Sequence, residues 1–206
     1  MDLQHASGIY KSLRLPNATI LQSPKGQGVS TATAALYEYT LLRLPRKPLR
    51  LIEAGSGSGV LAIMLKQANP AWEVCGLEIQ PHLYALACEN AAKLELDVDF
   101  ILEDLRLHVS AQKYHCIVAN PPWQKLDSGI SSPFPERAIS RSELYCTLPD
   151  MLRFCDRNLL SGAAAFLLYP ASRKNELIKL LPETSLELSE CRNADRLSLI
   201  YHIIKG

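Results

Sequence analysis

Nowhere does this chain approach about 18 uninterrupted apolar residues, so no membrane-spanning helix is expected. The opening Met1-Asp2-Leu3-Gln4-His5 lacks the basic and apolar regions of a secretory leader, and a cytoplasmic location is the expectation. Charge of one sign is also missing. The 22 Lys and Arg nearly cancel the 21 Asp and Glu, which leaves +1. No strong global field draws such a chain onto nucleic acid, which argues against non-specific DNA coating. A structured RNA held by a local basic patch is not excluded. Lys11, Arg14, Lys25, Arg137 and Arg141 could supply one, against the plain alternative that each is a solvated surface charge. The six cysteines (75, 88, 116, 146, 155 and 191) contain no CxxC pair and no cysteine–histidine pairing at metal-ligand spacing, so no metal site is expected. They read as reduced, buried small hydrophobes. Repeats and low-complexity tracts are absent too.

What is present is an ordinary globular composition, 48% hydrophobic and 21% charged, in a chain of 206 residues with room for one sizeable domain. Residues 1–30 are mixed and polar, with 21–30 reading as a loop, and 31–44 read as a helix. Strand 50–54 then leads to helix 59–68, strand 72–78 to helix 81–94, and strand 98–102 to a short helix. Strand 115–119 leads through a long irregular stretch to a helix over 143–159 and a strand over 163–169. Alternation of these lengths predicts a parallel sheet. Ser140 with Glu143 has the form of a capping box where the long helix should begin. Stretches 185–190 and 197–204 read as two strands whose short link requires an antiparallel pair. The expected division is an N-terminal extension and helix over 1–45, then one globular unit over 46–206.

Chemistry concentrates at the expected strand ends. The apolar run Cys116-Ile117-Val118-Ala119 stops at Asn120-Pro121-Pro122-Trp123. Neither proline donates a ladder hydrogen bond, and each restricts the residue before it to extended geometry. The stiff end carries a carboxamide, a free carbonyl on Pro121 and an aromatic face on Trp123. That set suits a flat ring with an exocyclic amino group, because Asn120 Oδ1 and the Pro121 carbonyl could each accept one N–H while Trp123 stacks. The alternative is an ordinary turn. Upstream, Leu51-Ile52-Glu53-Ala54 runs into Gly55-Ser56-Gly57-Ser58-Gly59 and then into an apolar helical pattern. Such a turn lets backbone approach a nucleotide-type ligand. The third slot of the dinucleotide fingerprint falls on Val60, which disfavours a nicotinamide or flavin guest. Glu78 ends the next strand, where an acid can take a ribose hydroxyl pair, and Glu103-Asp104 ends the one after. Taken singly, each acid could equally be a solvated strand end or a helix cap.

With these residues together, the chain from about Leu21 onward resembles the class I S-adenosylmethionine-dependent methyltransferases, in the branch that methylates amino groups. The resemblance implies a Rossmann-like α/β fold, a seven-stranded, mostly parallel sheet with a reversed terminal strand and helices on both faces. It implies S-adenosyl-L-methionine as cofactor, held by Glu53, Gly55, Ser56, Gly57, Gly59, Glu78, Ile79, Asp104, Leu105 and Asn120. Asn120, Pro121, Pro122 and Trp123 match the (N/D/S)-P-P-(Y/F/W) catalytic tetrapeptide, whose acceptor is a planar nitrogen of adenine, cytosine or a glutamine amide. The short layout is most similar to bacterial N6-adenine methyltransferases of tRNA and rRNA. An RNA partner is therefore expected, with the oligomeric state left open. Residues 124–140 then form either a substrate lid, in which Phe134, Arg137 and the nearby Arg141 touch the acceptor, or a plain loop. Two alternatives stay open: a glutamine-amide methyltransferase of release-factor type, and a non-catalytic subunit of the same fold.

Overall fold

The computed structural model describes residues 11–15, 18–22, 30–121 and 146–206. In chain order these form β1 (Lys11–Leu15), β2 (Ala18–Gln22), α1 (Thr31–Arg43), β3 (Arg50–Ala54), α2 (Val60–Ala68), β4 (Glu73–Glu78), α3 (Pro81–Lys93), β5 (Val98–Leu102), β6 (Tyr114–Ala119), α4 (Leu148–Asn158), β7 (Leu159–Pro170), α5 (Lys174–Leu180), β8 (Leu186–Asn193) and β9 (Ser198–Lys205). Seven strands make one sheet in the order β5-β4-β3-β6-β7-β9-β8. Pairs β5/β4, β4/β3, β3/β6 and β6/β7 are parallel. The last strand, β9, runs antiparallel to both β7 and β8. This is the expected fold class, with the reversed strand inserted next to the edge.

Alternation along the central strands divides the core. Leu51 of β3, Cys116 and Val118 of β6, and Phe166 and Leu168 of β7 pack with Leu36 of α1, Leu61 of α2 and Ala87 of α3. Their neighbours Ile52, Ile117, Ala119, Ala165 and Leu167 pack on the other face with Leu152 of α4 and Leu177 of α5. A strand covered on both faces must be apolar at every position, which is why these segments read as continuous apolar runs. None of the described helices is long and apolar enough to cross a membrane.

Four expectations need correction. The helix expected over 143–159 is α4, which starts at Leu148: Thr147 caps it, and Asp150 reciprocates to the Thr147 backbone N–H. The Thr147–Asp150 pair is the capping box that starts α4, while Ser140 and Glu143 lie outside the described residues. The strand expected over 163–169 begins at Leu159, directly after α4. Its register against β6 shifts between Tyr114 and Cys116, and Gly162 at φ +74° takes up the extra chain. No helix follows β5. The Asp104 side chain accepts the Arg106 N–H, and its carbonyl accepts those of Leu107 and His108, so the chain closes into a turn. Finally, the polar N-terminal stretch contains the antiparallel pair β1/β2. Asn90 of α3 fastens β2 in place: its Oδ1 accepts the Leu21 N–H, and its Nδ2 donates to the carbonyls of Leu21 and Ser58. Nothing in residues 11–22 announces a partner 69 positions away.

Candidate active site

The carboxyl ends of β5, β4, β3 and β6 lie side by side, the position where open α/β sheets bind ligands. The turn after β3 is tied to its neighbour, since Gly55 N and Ser56 N both donate to the Leu77 carbonyl at 2.8 and 2.9 Å. Gly55 and Gly57 have φ of +74° and +56°, in the left-handed region that L side chains avoid. A Cβ added to either would meet no atom of the described residues within 4 Å, so the turn is open on that side. Gly59 serves a different purpose. A Cβ there would come within 2.6 Å of the Phe100 ring and 3.0 Å of Ala87. One on Gly76, in the middle of β4, would come within 2.5 Å of the same ring. Phe100 of β5 thus packs between two glycines beneath the turn. Sequence reasoning missed the Phe100–Gly76 contact, and the available signal was a glycine interrupting an apolar strand.

Glu78 closes the turn from the side of β4. Its Oε2 accepts the Gly57 N–H at 2.8 Å and its Oε1 accepts the Gln80 N–H at 2.9 Å. Burial pushes its carboxyl up and these N–H groups pull it back. Next to it, Ser56 Oγ and Gln80 Oε1 are buried and have no hydrogen-bond partner among the described residues. Gln80 was not among the expected site residues; Ile79, which was, is half-buried between Glu78 and Gln80.

Glu53 is buried at the end of β3, and its Oε2 accepts the Ala62 N–H at 2.9 Å, one of the unpaired donors in the first turn of α2. Burial, with repulsion from Glu78 in addition, pushes its carboxyl from 4.5 to about 8. The folded protein therefore keeps a proton that the unfolded chain releases, and stability falls as pH rises from 4.5 to about 8. Glu53→Gln should melt higher relative to the parent at about pH 9 than at about pH 5, in thermal unfolding followed by circular dichroism. An equal difference at both values would show that Glu53 is ionised throughout.

Asp104 is engaged. Arg106 donates Nε to its Oδ2 at 2.9 Å, and this pairing holds the carboxyl below the usual range. Leu105 beside it is half-buried, and its carbonyl accepts from Arg157 Nη2 at 3.0 Å. Across the sheet, the pairing of Ala54 with Ala119 sets Asn120 next to Gly55. Asn120 is half-buried and its Nδ2 donates to Thr33 Oγ1 of α1 at 3.1 Å; Pro121 is buried. Thr33 is a further residue that sequence reasoning missed. Pro122, Trp123, Phe134, Arg137 and Arg141, and the whole 124–140 segment, lie outside the described residues.

Residues 27–137, more than half of the chain, match the methyltransferase small domain family. The ribosomal protein uL3 glutamine methyltransferase of Xanthomonas campestris pv. campestris is 31% identical over 147 residues, 67% of this chain and 47% of that protein. The tRNA1(Val) (adenine(37)-N6)-methyltransferase of Aeromonas hydrophila subsp. hydrophila is 31% identical over 131 residues, 63% of this chain and 55% of that one. The chain spans about half the length of these relatives. In fold, it is similar to the ribosomal protein L11 methylase of Lactobacillus delbrueckii subsp. bulgaricus, with a TM-score of 0.66 at 21% identity over 90% of this chain and 84% of that one. The cofactor is S-adenosylmethionine. Among the described residues, the open face above Gly55 and Gly57 and the unpaired Ser56 Oγ and Gln80 Oε1 give it room and hydrogen-bonding groups. On the glycine turn, the strand-end acids and the matched residues together, the chain belongs to the methyltransferase small domain family, among the class I S-adenosylmethionine-dependent methyltransferases.

Proposed function

We propose that this chain methylates the exocyclic amino group of adenine in a tRNA or rRNA. The observation that carries the reading is the Asn120 carboxamide at the end of β6, next to the glycine turn, with its Nδ2 end held by Thr33 and its Oδ1 bonded to none of the described residues. Glu53, Gly55, Ser56, Gly57, Gly59, Glu78 and Ile79 hold the cofactor, which supplies a methyl group on an electrophilic sulfonium. Asp104 and Leu105 border its base, with Asp104 available to the adenine amino group once Arg106 swings away. An amino group conjugated with a purine ring is a poor nucleophile. Asn120 Oδ1 and the Pro121 carbonyl accept hydrogen bonds from its two N–H groups and favour the pyramidal nitrogen that forms only as the N–CH3 bond replaces the S–CH3 bond, which is transition-state binding. The methylated nitrogen then loses one proton to water. Alignment does the remaining work. Trp123 stacks on the base, a contact worth about 1–3 kcal/mol in single-stranded recognition. A loop base costs less to unstack than one in a duplex, which favours an RNA loop.

A second reading keeps the cofactor and the tetrapeptide and puts a protein glutamine amide in the acceptor position. The relationship to the uL3 glutamine methyltransferase supports it. Trp123 favours the larger ring. Labelled cofactor offered in parallel with bulk tRNA, rRNA, duplex DNA, release factors and ribosomal proteins separates the two. Label in RNA at N6-methyladenine is the expected result. Label on a protein glutamine with the RNAs blank would replace adenine by the amide. In the RNA case, Arg137→Ala or Arg141→Ala should weaken RNA binding and lower its salt slope by about one unit per lost phosphate contact, with cofactor affinity unchanged.

A further inference from the structure

We propose that Thr33 is a positioning residue: the N-terminal turn of α1 sets the Asn120 carboxamide so that its oxygen faces the acceptor. This rests on the amino-methylation reading. Thr33 Oγ1 has two lone pairs and one hydrogen. It lies 3.1 Å from Asn120 Nδ2, 3.5 Å from Ser30 N and 3.1 Å from Ser30 Oγ. The two N–H groups can only donate, so they take the lone pairs, and the hydroxyl hydrogen goes to Ser30 Oγ. Ser30 Oγ in turn accepts the Thr33 N–H at 3.2 Å. Each bonding position on the threonine hydroxyl is then used, with the lone pair on the Asn120 side holding the nitrogen end of the amide. The two ends of a carboxamide diverge, so Oδ1 turns away from α1.

A positioning group is useful only on a rigid support. Helix α1 is one. Leu36 and Tyr39 are buried in the core, and Thr40 Oγ1 donates to the Leu36 carbonyl at 2.8 Å. The Tyr39 hydroxyl donates to Glu190 of β8 and lies 3.1 Å from His202 Nδ1 of β9. The Tyr39 ring also meets Phe166 of β7 edge-on, with centroids 5.2 Å apart. The helix that carries Thr33 is thus fastened to three strands of the sheet whose β6 carries Asn120, and the hydrogen bond between the two residues spans 87 positions of sequence.

Thr33→Val keeps the shape and removes the acceptor, and Thr33→Ser keeps the hydroxyl. Two readouts apply, at a temperature where thermal melts show each variant folded. In ¹⁵N spectra, the Asn120 side-chain NH2 pair, identified by its loss in Asn120→Ala, should exchange with solvent slowly in the parent and in Thr33→Ser. It should exchange faster in Thr33→Val. In methyl transfer, Thr33→Val should lower kcat by about 10- to 100-fold at unchanged cofactor affinity, the scale of a misplaced catalytic group. Thr33→Ser should recover most of this. On the residual rate of Asn120→Ala, adding Thr33→Val should cost nothing more, because there is no amide left to orient. An unchanged NH2 signal in Thr33→Val, a loss that adds fully to that of Asn120→Ala, or a Thr33→Ser as slow as Thr33→Val would overturn the proposal. If the parent transfers no methyl to any acceptor, the amino-methylation reading fails, whereas the NH2 exchange still decides whether Thr33 orients Asn120.

Discussion

Asn120→Ala should all but abolish turnover while cofactor affinity stays within about threefold of the parent, a loss in kcat on the order of 10²–10³ or more by comparison with removal of a single oriented hydrogen-bonding group elsewhere. The side chain is half-buried, and among the described residues it is bonded to Thr33 alone, through its Nδ2 end. The other end serves an acceptor nitrogen whose geometry changes during reaction, so kcat and kcat/KM should fall together. Calorimetry with the demethylated cofactor and steady-state methyl transfer check the two halves of the expectation. Near-normal kcat in this variant would remove Asn120 from the chemistry. A collapse of cofactor affinity would instead make it part of the cofactor cradle alone.

Gly57→Val should weaken cofactor binding by at least about a hundredfold, roughly 2.7 kcal/mol. Gly57 sits at φ +56°, where an L residue is strained by about 1–2 kcal/mol and a β-branched one by more. The Gly57 N–H also holds Glu78 Oε2 at 2.8 Å, so relieving the strain by rotating the peptide releases the acid that closes the turn. Unlike Gly59, this residue has no core atom near its would-be Cβ, so the valine methyls enter the open face. Gly57→Ala, with a smaller group, should fall between parent and valine in titration calorimetry. Binding by the valine variant as tight as the parent's would place the cofactor away from this turn.

The parallel core was legible because strands buried on both faces must be apolar throughout and must end where glycine or proline breaks them. β3 at Arg50–Ala54 and β5 at Val98–Leu102 have the bounds read from the sequence. The antiparallel β8/β9 pair followed from a link too short for a crossover. Elements decided by local competition were read less well. The turn after β5 forms because Asp104 bonds the backbone two residues on, which a helical pattern conceals. α4 begins at the capping box formed by Thr147 and Asp150, which the reading had placed at Ser140 and Glu143.

The same division runs through the site. Glu53, Gly55, Gly57, Glu78 and Asn120 could be named from sequence because each sits at the end of a strand, where residue type and spacing along the chain already carry the chemistry. The opposed roles of the glycines could not, since a Cβ on Gly57 would meet none of the described residues whereas one on Gly59 would meet Phe100, and only the packing of β5 against the turn distinguishes them. Nor could the engagement of Asp104 by Arg106, or the grip of Thr33 on Asn120. Periodicity and turn chemistry are local properties, so the sequence by itself determined the sheet and the strand-end residues, and the family resemblance those residues carry implied the cofactor. Which side chains meet across 87 positions depends on how the helices pack on the sheet, and that was decided only by the tertiary structure.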